Sequence, residues 1–443
     1  MRLCRLKESL TASVVVLVCC AGSSQSQGVF GQAEGKRETL QYVVYLSRHG
    51  VRSPTKEAAE YNPYSAAPWP QWNVPPGYLT PHGFILMKLF GKYDRAELAA
   101  KGLLLAEGCA DAAHVTILAD SDQRTRETGK AIAEGMFPGC NVEVHALPEG
   151  TNDPLFHAHR AGPGNAESGL ALAAIAGRIG GDPNNLTESY RTELSALDHI
   201  LAGCGKASTA GNKRISLFDI QLSLGAGKGE HSFQLRGPLS TASTLSENLL
   251  LEYAEGFTGT KLGWGCLDEN ALREVMDLHT AAADFEQRTP VIASESASNM
   301  LDHFTKSLEQ SAAGKSIEGA LGRPGDRVLF LSGHDTNIAT VAGSLGLDWI
   351  IDGRRDDTPP GGTLVFELWR ADPGGDYRVR VFYMAQTLNQ MRTEQALSLE
   401  QPPLKTQLFV PRCSESDMSC SLAAFVSAVK EAINPAFVSA MSN

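Results

Sequence analysis

Three short polar clusters in this sequence combine histidine, arginine and aspartate side chains in a pattern that suits phosphate chemistry. They span Arg48–Lys56, Asp120–Arg126 and Gly333–Asn337. An arginine presents a planar fork of N–H donors that matches phosphoryl oxygens. Arg48, Arg52 and Arg124 together could therefore neutralise a phosphate group and its more highly charged transition state.

Histidine and aspartate residues of the same clusters could carry the covalent and proton-transfer steps. His49 lies between two arginines, whose positive charges disfavour its protonated form, so a ring nitrogen stays available as a nucleophile. Transfer of a phosphoryl group to histidine and then to water needs a proton donor on the opposite side of the phosphorus. Asp335, next to His334, fits that role.

Each polar cluster directly follows a short apolar run that is typical of a buried strand. The runs are Thr39–Ser47, Val115–Ala119 and Arg327–Ser332, and helical patterns follow two of them, at Thr128–Met136 and Ala339–Leu345. This order of strand, loop and helix predicts a parallel sheet. Because ligand sites in such sheets lie outside the carboxyl ends of the strands, we expect the three clusters to form one site.

The whole pattern predicts an α/β protein, with a mostly parallel central sheet flanked by helices and a smaller, mainly helical inserted domain. Helical stretches in the insert are predicted at Leu170–Ile179, Thr187–Ala202, Ser240–Ala254 and Glu269–Gln287. We assign residues 38–151 and 287–443 to the α/β domain and residues 152–286 to the helical domain. Two late runs, Thr363–Trp369 and Tyr377–Tyr383, flank a Pro-Gly turn and predict a hairpin at the sheet edge.

Charge and composition exclude several classes of ligand. The 443 residues carry 50 acidic and 39 basic side chains, for a net charge of -11, and no dense basic block. We therefore predict no nucleic-acid partner, and an anionic ligand must be held by a local cluster of cations. His157 and His159 have no metal-ligating partner spaced nearby, so we interpret them as surface histidines and predict no metal and no other cofactor.

The N-terminal residues have the pattern of a cleaved signal peptide. Arg2, Arg5 and Lys7 precede an apolar stretch, Leu10–Cys20, that is too short to span a bilayer, and small and polar residues follow. We therefore predict removal of residues 1–27, a periplasmic or secreted protein, and no membrane attachment after cleavage. Six cysteines remain in the mature chain, which allows up to three disulfides in 15 possible pairings.

At these motifs the sequence resembles the histidine acid phosphatases, whose signature joins an R-H-G-x-R-x-P motif to a late H-D motif. Here the motifs read Arg48-His49-Gly50-Val51-Arg52-Ser53-Pro54 and His334-Asp335. The resemblance is to the bacterial periplasmic branch of phytases and glucose-1-phosphatases, and it runs from about Tyr42 to near Phe425. It implies that His49 is the nucleophile, that Asp335 protonates the leaving oxygen, and that the phosphate is held by Arg48, Arg52, Arg124 and His334.

The same resemblance implies further residues. The expected substrate-binding residues are Thr55, Lys56, Asp120, Arg288 and Thr336. Among them, Thr55, Lys56 and Arg288 resemble the residues with which phytases hold the outer phosphates of inositol hexakisphosphate. The implied disulfides are Cys109 with Cys140 and Cys413 with Cys420, and Cys204 and Cys266 are the remaining two cysteines.

The substrate and the class of the protein each have an alternative. Trp72–Pro75 and Met136–Cys140 are more similar to the glucose-1-phosphatase branch. We expect a monomeric enzyme that hydrolyses small-molecule phosphate esters, with phytate as the expected substrate and glucose 1-phosphate or a range of sugar phosphates as the alternative. A non-catalytic phosphoester-binding protein is the remote alternative, because simple anion binding needs the arginines but neither His49 nor Asp335.

Overall fold

A computed structural model describes residues 38–158, 168–205, 214–226, 233–371 and 374–439. The predicted signal peptide and His159 lie outside these residues, as does part of the turn between the two late strands. Among the described residues, no helix combines the length and the apolar character that a membrane crossing requires.

The centre of the fold is an eight-stranded mixed sheet, accompanied by two separate two-stranded ladders. The strands in chain order are β1 (Glu38–Arg48), β2 (Val115–Ala119), β3 (Val144–His145), β4 (Ser223–Ala226), β5 (Phe233–Arg236), β6 (Val328–Gly333), β7 (Ile350–Ile351), β8 (Arg354–Arg355), β9 (Thr363–Ala371), β10 (Tyr377–Ala385), β11 (Leu404–Leu408) and β12 (Ser419–Ser421). The large sheet has the order β11-β10-β9-β1-β6-β2-β3, and β12 also pairs with β10.

The sheet is less parallel than the sequence pattern predicts. Strands β1, β6, β2 and β3 pair in parallel, whereas the pairs that join β1 to β9, β9 to β10, and β10 to β11 and β12 are antiparallel. The predicted hairpin is present as β9 and β10, but it lies inside the sheet because β11 and β12 continue the ladder beyond it. The apolar pattern of a strand does not show how many strands lie beyond it in the sheet. The predicted position of this hairpin at the sheet edge was therefore wrong.

The described residues contain twelve α-helices, which we number in chain order. They are α1 (Ala58–Tyr61), α2 (Pro81–Ala100), α3 (Gln123–Met136), α4 (Ser168–Arg178), α5 (Asn184–Ser189), α6 (Arg191–Leu201), α7 (Pro238–Ala254), α8 (Glu269–Glu286), α9 (Pro290–Ala313), α10 (Asp335–Leu345), α11 (Leu388–Arg392) and α12 (Leu422–Ala432). The stretch predicted as one helix over Thr187–Ala202 is two helices, because Tyr190 leaves helical geometry with φ −112° and ψ 24°.

Local signals in the sequence explain where the longer helices begin and end. Proline occupies the first position of α2, α7 and α9, where its missing N–H costs no intrahelical hydrogen bond. Gly314 and Gly346 end α9 and α10 with φ of 62° and 68°, a left-handed conformation that glycine adopts without steric cost. These boundaries place the beginning of α10 directly after β6.

Two apolar layers cover the faces of the large sheet. Successive side chains of a strand point to opposite faces, and in β1 the residues Val44 and Leu46 pack with α9, α10 and α12 whereas Val43 and Tyr45 pack with α2 and α3. A further apolar cluster lies mainly within the helices α4 to α8. The proposed division of the chain into an α/β domain and a helical domain stays a prediction.

The described residues contain three disulfides, two of which are the pairs that the family resemblance implied. Cys109 is bonded to Cys140, Cys413 to Cys420, and the two remaining cysteines, Cys204 and Cys266, to each other. The first two close loops of 31 and 7 residues, and the third closes one of 62 residues in the helical region.

Candidate active site

The parallel part of the sheet brings the three polar clusters to one edge. Arg48 at the end of β1 is paired with Gly333 at the end of β6, and Ala119 at the end of β2 is paired with Ser332. The ladder continues one residue further, because the backbone N–H of His49 donates to the carbonyl of Gly333 over 2.9 Å. The expected convergence of the clusters is therefore found in the structure.

The loop that follows His49 is held tightly between α2 and α3. The backbone N–H of Gly50 donates to Oγ1 of Thr128 in α3 over 3.0 Å. A side chain at Gly83 in α2 would collide with the backbone of Val51, so the helix packs directly on this loop. Thr80 caps α2 by accepting a hydrogen bond from the N–H of Gly83 over 2.9 Å.

His49 is buried and held in one orientation. Its Nδ1 lies 2.9 Å from the carbonyl oxygen of Gly50. A carbonyl only accepts hydrogen bonds, so Nδ1 carries the proton and Nε2 keeps its lone pair. Burial, together with the nearby charges of Arg124, Arg48 and Arg52, holds the pKa of His49 well below its usual range. His49 is therefore neutral in this arrangement, and the lone pair of Nε2 is available for a nucleophilic attack.

Arg48 and Arg52 meet at one carboxylate that the sequence analysis did not single out. Nη2 of Arg52 lies 3.0 Å from Oε1 of Glu247, and the same oxygen contacts Nη2 of Arg48. Arg48 also donates to the carbonyl of Thr358 over 2.6 Å, and its Nη2 lies 3.2 Å from Oδ2 of Asp335. Although burial opposes ionisation, the two arginines lower the pKa of Glu247, so this carboxylate is charged.

Arg124, at the beginning of α3, is the third cation of the site. Its Nη2 lies 2.6 Å from Oδ2 of Asp122 and 3.4 Å from Nδ1 of His334. The Nε atoms of Arg48, Arg52 and Arg124 are buried and have no hydrogen-bond acceptor in the described part of the chain. The three guanidinium groups thus retain donors for additional oxygen atoms.

His334 is oriented by a buried carboxylate that it shares with a second histidine. Oδ2 of Asp120 lies 2.6 Å from Nε2 of His334 and 2.9 Å from Nε2 of His157. Although burial opposes ionisation, these two hydrogen bonds hold the pKa of Asp120 well below its usual range. With Nε2–H donating to Asp120, Nδ1 of His334 faces Arg124 and is the atom available to a ligand.

The position of His157 corrects one interpretation of the sequence. We expected a surface histidine without a metal-ligating partner, but the fold places His157 beside Asp120 and His334, residues that lie far from it in the chain. One ligand atom from each of these three side chains lies within 4.8 Å of the others, as do those of Glu247, His279 and Asp335. Spacing along the chain could not reveal either group.

Asp335 is the first residue of α10 and faces Arg48. Its Oδ1 accepts a hydrogen bond from the backbone N–H of Thr336 over 2.8 Å. Burial raises the pKa of Asp335, but the positive charges of Arg48, His279 and Arg52 outweigh burial and hold that pKa well below its usual range. The Asp335 carboxyl group is therefore ionised in this arrangement.

Thr55 and Lys56 lie at the outer rim of the site. Both are exposed, and 61% of the Lys56 side chain is accessible to solvent, with Nζ 3.8 Å from Oε2 of Glu60. Lys56 also lines a cavity of about 190 Å³, whose other walls include Ser53, Trp72, Val74 and Pro76. Ser53 and Lys56 line this cavity and are also members of the first polar cluster, so the cavity adjoins that cluster. Lys56 is thus an exposed cation, weakly paired with Glu60, next to a space that a large substrate could enter.

The structure does not bring Arg288 to this site. Its Nη2 donates to the carbonyl of Leu347 and to Oδ1 of Asp348, each over 2.6 Å. Both partners follow the C-terminal end of α10, whereas Asp335 begins that helix, and an 11-residue helix is about 16 Å long. Only 7% of the Arg288 side chain is exposed. The structure therefore places Arg288 apart from the three polar clusters, and its expected contact with substrate phosphates stays a prediction.

These residues provide the parts of a phosphoryl-transfer site. A neutral histidine nitrogen lies among three guanidinium groups, and a carboxyl group at the beginning of a helix lies next to the same cations. The first turn of α10 adds the positive end of its helix dipole. Such a site can bind a dianion, accept a phosphoryl group on nitrogen and transfer a proton.

Comparisons with known proteins agree with this chemistry. The model of the histidine phosphatase superfamily (branch 2) matches residues 39–176 and 272–384. Phytase AppA of Escherichia coli is 36% identical over 422 residues, which cover 93% of this chain and 95% of the relative. The glucose-1-phosphatase of Salmonella typhimurium is 28% identical over 92% of this chain and 95% of the relative. The structure of Hafnia alvei phytase in complex with tartrate has a TM-score of 0.83 and 33% identity, and the match covers 91% of this chain and 99% of that one.

Proposed function

Since the chain belongs to branch 2 of the histidine phosphatase superfamily and is a histidine acid phosphatase, we propose that it hydrolyses phytate through a phosphohistidine intermediate on His49. The observation that carries this proposal is the buried, neutral His49 among Arg48, Arg52 and Arg124, with Nδ1 bonded to Gly50 so that Nε2 faces the reaction. A protein that only binds phosphate esters has no need for such a nitrogen.

The first half-reaction transfers the phosphoryl group to the enzyme. The arginines donate to the phosphoryl oxygens, as does Nδ1 of His334 once the negative phosphate favours its protonated form, and Nε2 of His49 attacks the phosphorus as the bond to the ester oxygen breaks. Asp335, in its protonated form, donates a proton to that oxygen, so the alcohol leaves neutral. Fixed positive charge stabilises the equatorial oxygens of the transition state without reorganisation of solvent.

The second half-reaction hydrolyses the phosphohistidine. The Asp335 carboxylate accepts a proton from a water molecule, whose oxygen attacks the phosphorus as the bond to Nε2 breaks. The products are inorganic phosphate, free His49 and protonated Asp335, which is the form of Asp335 that the first half-reaction requires. Asp335 thus acts as a general acid in the first half-reaction and as a general base in the second. The second half-reaction is the reverse of the first with water in place of the alcohol, so the same carboxyl group serves both.

Phytate is favoured by the position of Lys56. A substrate with several phosphates needs cations beyond the three arginines, and Lys56 lies exposed beside the cavity at the rim. The 36% identity to a phytase over nearly the whole chain also supports phytate over glucose 1-phosphate, for which the related enzyme is 28% identical. Trp72 and Val74, from the segment that is similar to the glucose-1-phosphatase branch, line the same cavity and favour glucose 1-phosphate as the second candidate.

Export to the periplasm or the medium is part of the same proposal. Three disulfides link the six cysteines that follow the predicted cleavage site, and such bonds persist in oxidising compartments. Sequencing the N-terminus of the exported protein would locate the cleavage site, which we expect before residue 29.

The experiment that tests the mechanism is trapping of the phosphoenzyme. Labelled substrate is mixed with enzyme and quenched in alkali, in which phosphohistidine persists, and peptide mapping locates the label. We expect label on His49 of the wild type, and neither label nor turnover for His49→Ala. The control His145→Ala changes an exposed histidine outside the site and should behave as wild type. Normal turnover by His49→Ala would overturn the mechanism, and a wild-type preference for glucose 1-phosphate over phytate would overturn the substrate.

A further inference from the structure

The environment of Asp335 conflicts with its role as a proton donor, and this inference rests on the function proposed above. Asp335 must carry a proton when it meets the leaving oxygen. Its Oδ2 lies 3.2 Å from Nη2 of Arg48, and the charges of His279 and Arg52 also act on it. A carboxyl group among these cations loses its proton to a nearby base or to solvent. Each catalytic cycle therefore needs a source from which Asp335 regains that proton.

His279, on α8, lies where such a source is needed. A ring nitrogen of His279, a carboxylate oxygen of Glu247 and one of Asp335 all lie within 4.8 Å of one another. The hydroxyl of Ser243, one helical turn before Glu247 on α7, lies 3.1 Å from Nδ1 of His279 and fixes the ring. The side chain is half-buried, so it borders both the site and the solvent. No step of the reaction described above uses it.

Charged groups around His279 come from several elements. Glu247 faces it from α7 and Asp335 from α10, and behind these carboxylates lie Arg48 and Arg52. On α8 itself, Asp277 lies two residues away and is influenced by Glu193 and Asp357. Two carboxylates that can accept a proton thus lie within 4.8 Å of a ring nitrogen of His279.

Substrate binding changes the charge that surrounds Glu247 and Asp335. Before binding, Arg48 and Arg52 neutralise Glu247 and Asp335. A phosphate dianion takes over the guanidinium groups and places two further negative charges beside the carboxylates. Negative charge raises the proton affinity of a neighbouring carboxylate. The arrival of the substrate therefore draws a proton to Asp335 when it is needed.

We propose that His279 stores this proton between turnovers. In the free enzyme the proton resides on a ring nitrogen of His279. When the substrate binds, that N–H bond breaks and an O–H bond forms on Asp335, which passes the proton to the leaving oxygen. In the second half-reaction Asp335 takes a proton from the attacking water, and release of inorganic phosphate returns that proton to His279. The pair gains and loses no proton over a full cycle.

The test compares two substrates across pH with His279→Gln, which keeps a polar side chain but cannot carry the proton. Without the store, Asp335 must take its proton directly from solution, which requires more acid. For glycerol phosphate, an alkyl ester, we expect kcat to fall about tenfold near pH 6 and to recover as the pH is lowered toward 3.5, so that the alkaline limb of the profile moves to lower pH by about one unit. For p-nitrophenyl phosphate, whose leaving group needs little protonation, kcat should change less than about twofold.

Two further variants keep the result interpretable. Ser243→Ala removes the hydroxyl that fixes the ring, and we expect a smaller shift of the alkaline limb in the same direction. His145→Gln, which changes an exposed histidine on the edge strand β3, should match the wild type. An equal loss on both substrates at every pH would assign His279 a merely structural role and overturn the proposal, as would an unchanged profile. Trapping of phosphohistidine on the wild type tests the proposed function independently. A failure of the His279 proposal can therefore be distinguished from a failure of the proposed function.

Discussion

Oε1 of Glu247 lies 3.0 Å from Nη2 of Arg52, so a carboxylate occupies the arginine fork that a phosphate group needs. The same oxygen contacts Arg48, which makes Glu247 a competitor for both cations. A phosphate group that binds here competes with this carboxylate for the Nη2 donors. We therefore expect Glu247 to weaken the binding of both substrate and product.

Glu247→Gln should tighten product binding. The amide keeps the shape of the side chain but removes a negative charge beside the phosphate position, so we expect the inhibition constant of inorganic phosphate to fall about tenfold, or about 1.4 kcal/mol. Inhibition kinetics with p-nitrophenyl phosphate at constant ionic strength would measure it. Glu60→Gln, at the outer rim, is the matched control. Weaker inhibition in the Glu247 variant would contradict the competition.

Asp335→Asn should discriminate between leaving groups. An alkyl alcohol needs a proton to leave and a nitrophenol hardly does, so we expect kcat to fall about 100-fold or more with glycerol phosphate and far less with p-nitrophenyl phosphate. Steady-state kinetics with both esters would measure the ratio. Equal losses would assign Asp335 a role other than proton transfer.

Lys56→Ala should affect only substrates with remote phosphates. We expect the KM for phytate to rise about fivefold, equivalent to about 1 kcal/mol for an exposed charge contact, and the KM for p-nitrophenyl phosphate to stay the same. Lys88→Ala is the matched control, because Lys88 is also exposed and paired with a glutamate but lies on α2. An equal rise in the KM for both substrates would show that Lys56 does not act through the remote phosphates of phytate.

Glu252→Gln should stabilise the protein at alkaline pH. Glu252 is buried on α7 and accepts a hydrogen bond from the N–H of Gly263 over 3.1 Å, and burial raises its pKa from 4.5 to about 8. The fold therefore prefers the protonated form, and stability that is full below pH 4.5 is lost as the pH rises toward 8. Urea unfolding should show a gain of roughly 4 kcal/mol for the variant at pH 8 and none at pH 4. The exposed Glu188→Gln should show no such gain.

Chelation should leave the activity unchanged. Arg48, Arg52 and Arg124 supply the positive charge that a metal ion would otherwise provide. Assays of p-nitrophenyl phosphate hydrolysis after dialysis against a chelator would measure this, and a loss that added divalent metal restores would contradict it.

The residues of the site that lie next to strand ends could be predicted from the sequence. Arg48, His49 and Asp120 each follow or end a buried apolar run, and the parallel ladder between those runs necessarily brings their ends together. His334 and Asp335 follow the third such run. A short periodic pattern was therefore sufficient to place them in one site.

The residues contributed by helices could not be predicted in the same way. Glu247 lies on α7, whose pattern is dominated by buried leucines, and nothing in that pattern distinguishes a functional glutamate from a solvated one. His279 has the same difficulty on α8. The only local signal is the spacing of Ser243 and Glu247, which places them on one face of α7. Packing between helices distant in sequence decides such contacts, and the same packing places Arg288 beside the C-terminal end of α10.

The pairing of Arg48 with Gly333 in the central ladder has a consequence for how new specificities can arise. The spacing of His49 and His334 depends on backbone hydrogen bonds between β6 and the buried C-terminal part of β1, whereas Lys56 and Trp72 belong to a segment that is partly exposed. Evolution or design can therefore exchange that segment for another and still inherit a working reaction centre. The paired strands cannot be exchanged in this way, because a one-residue slip between β1 and β6 would turn every side chain of the slipped strand to the opposite face.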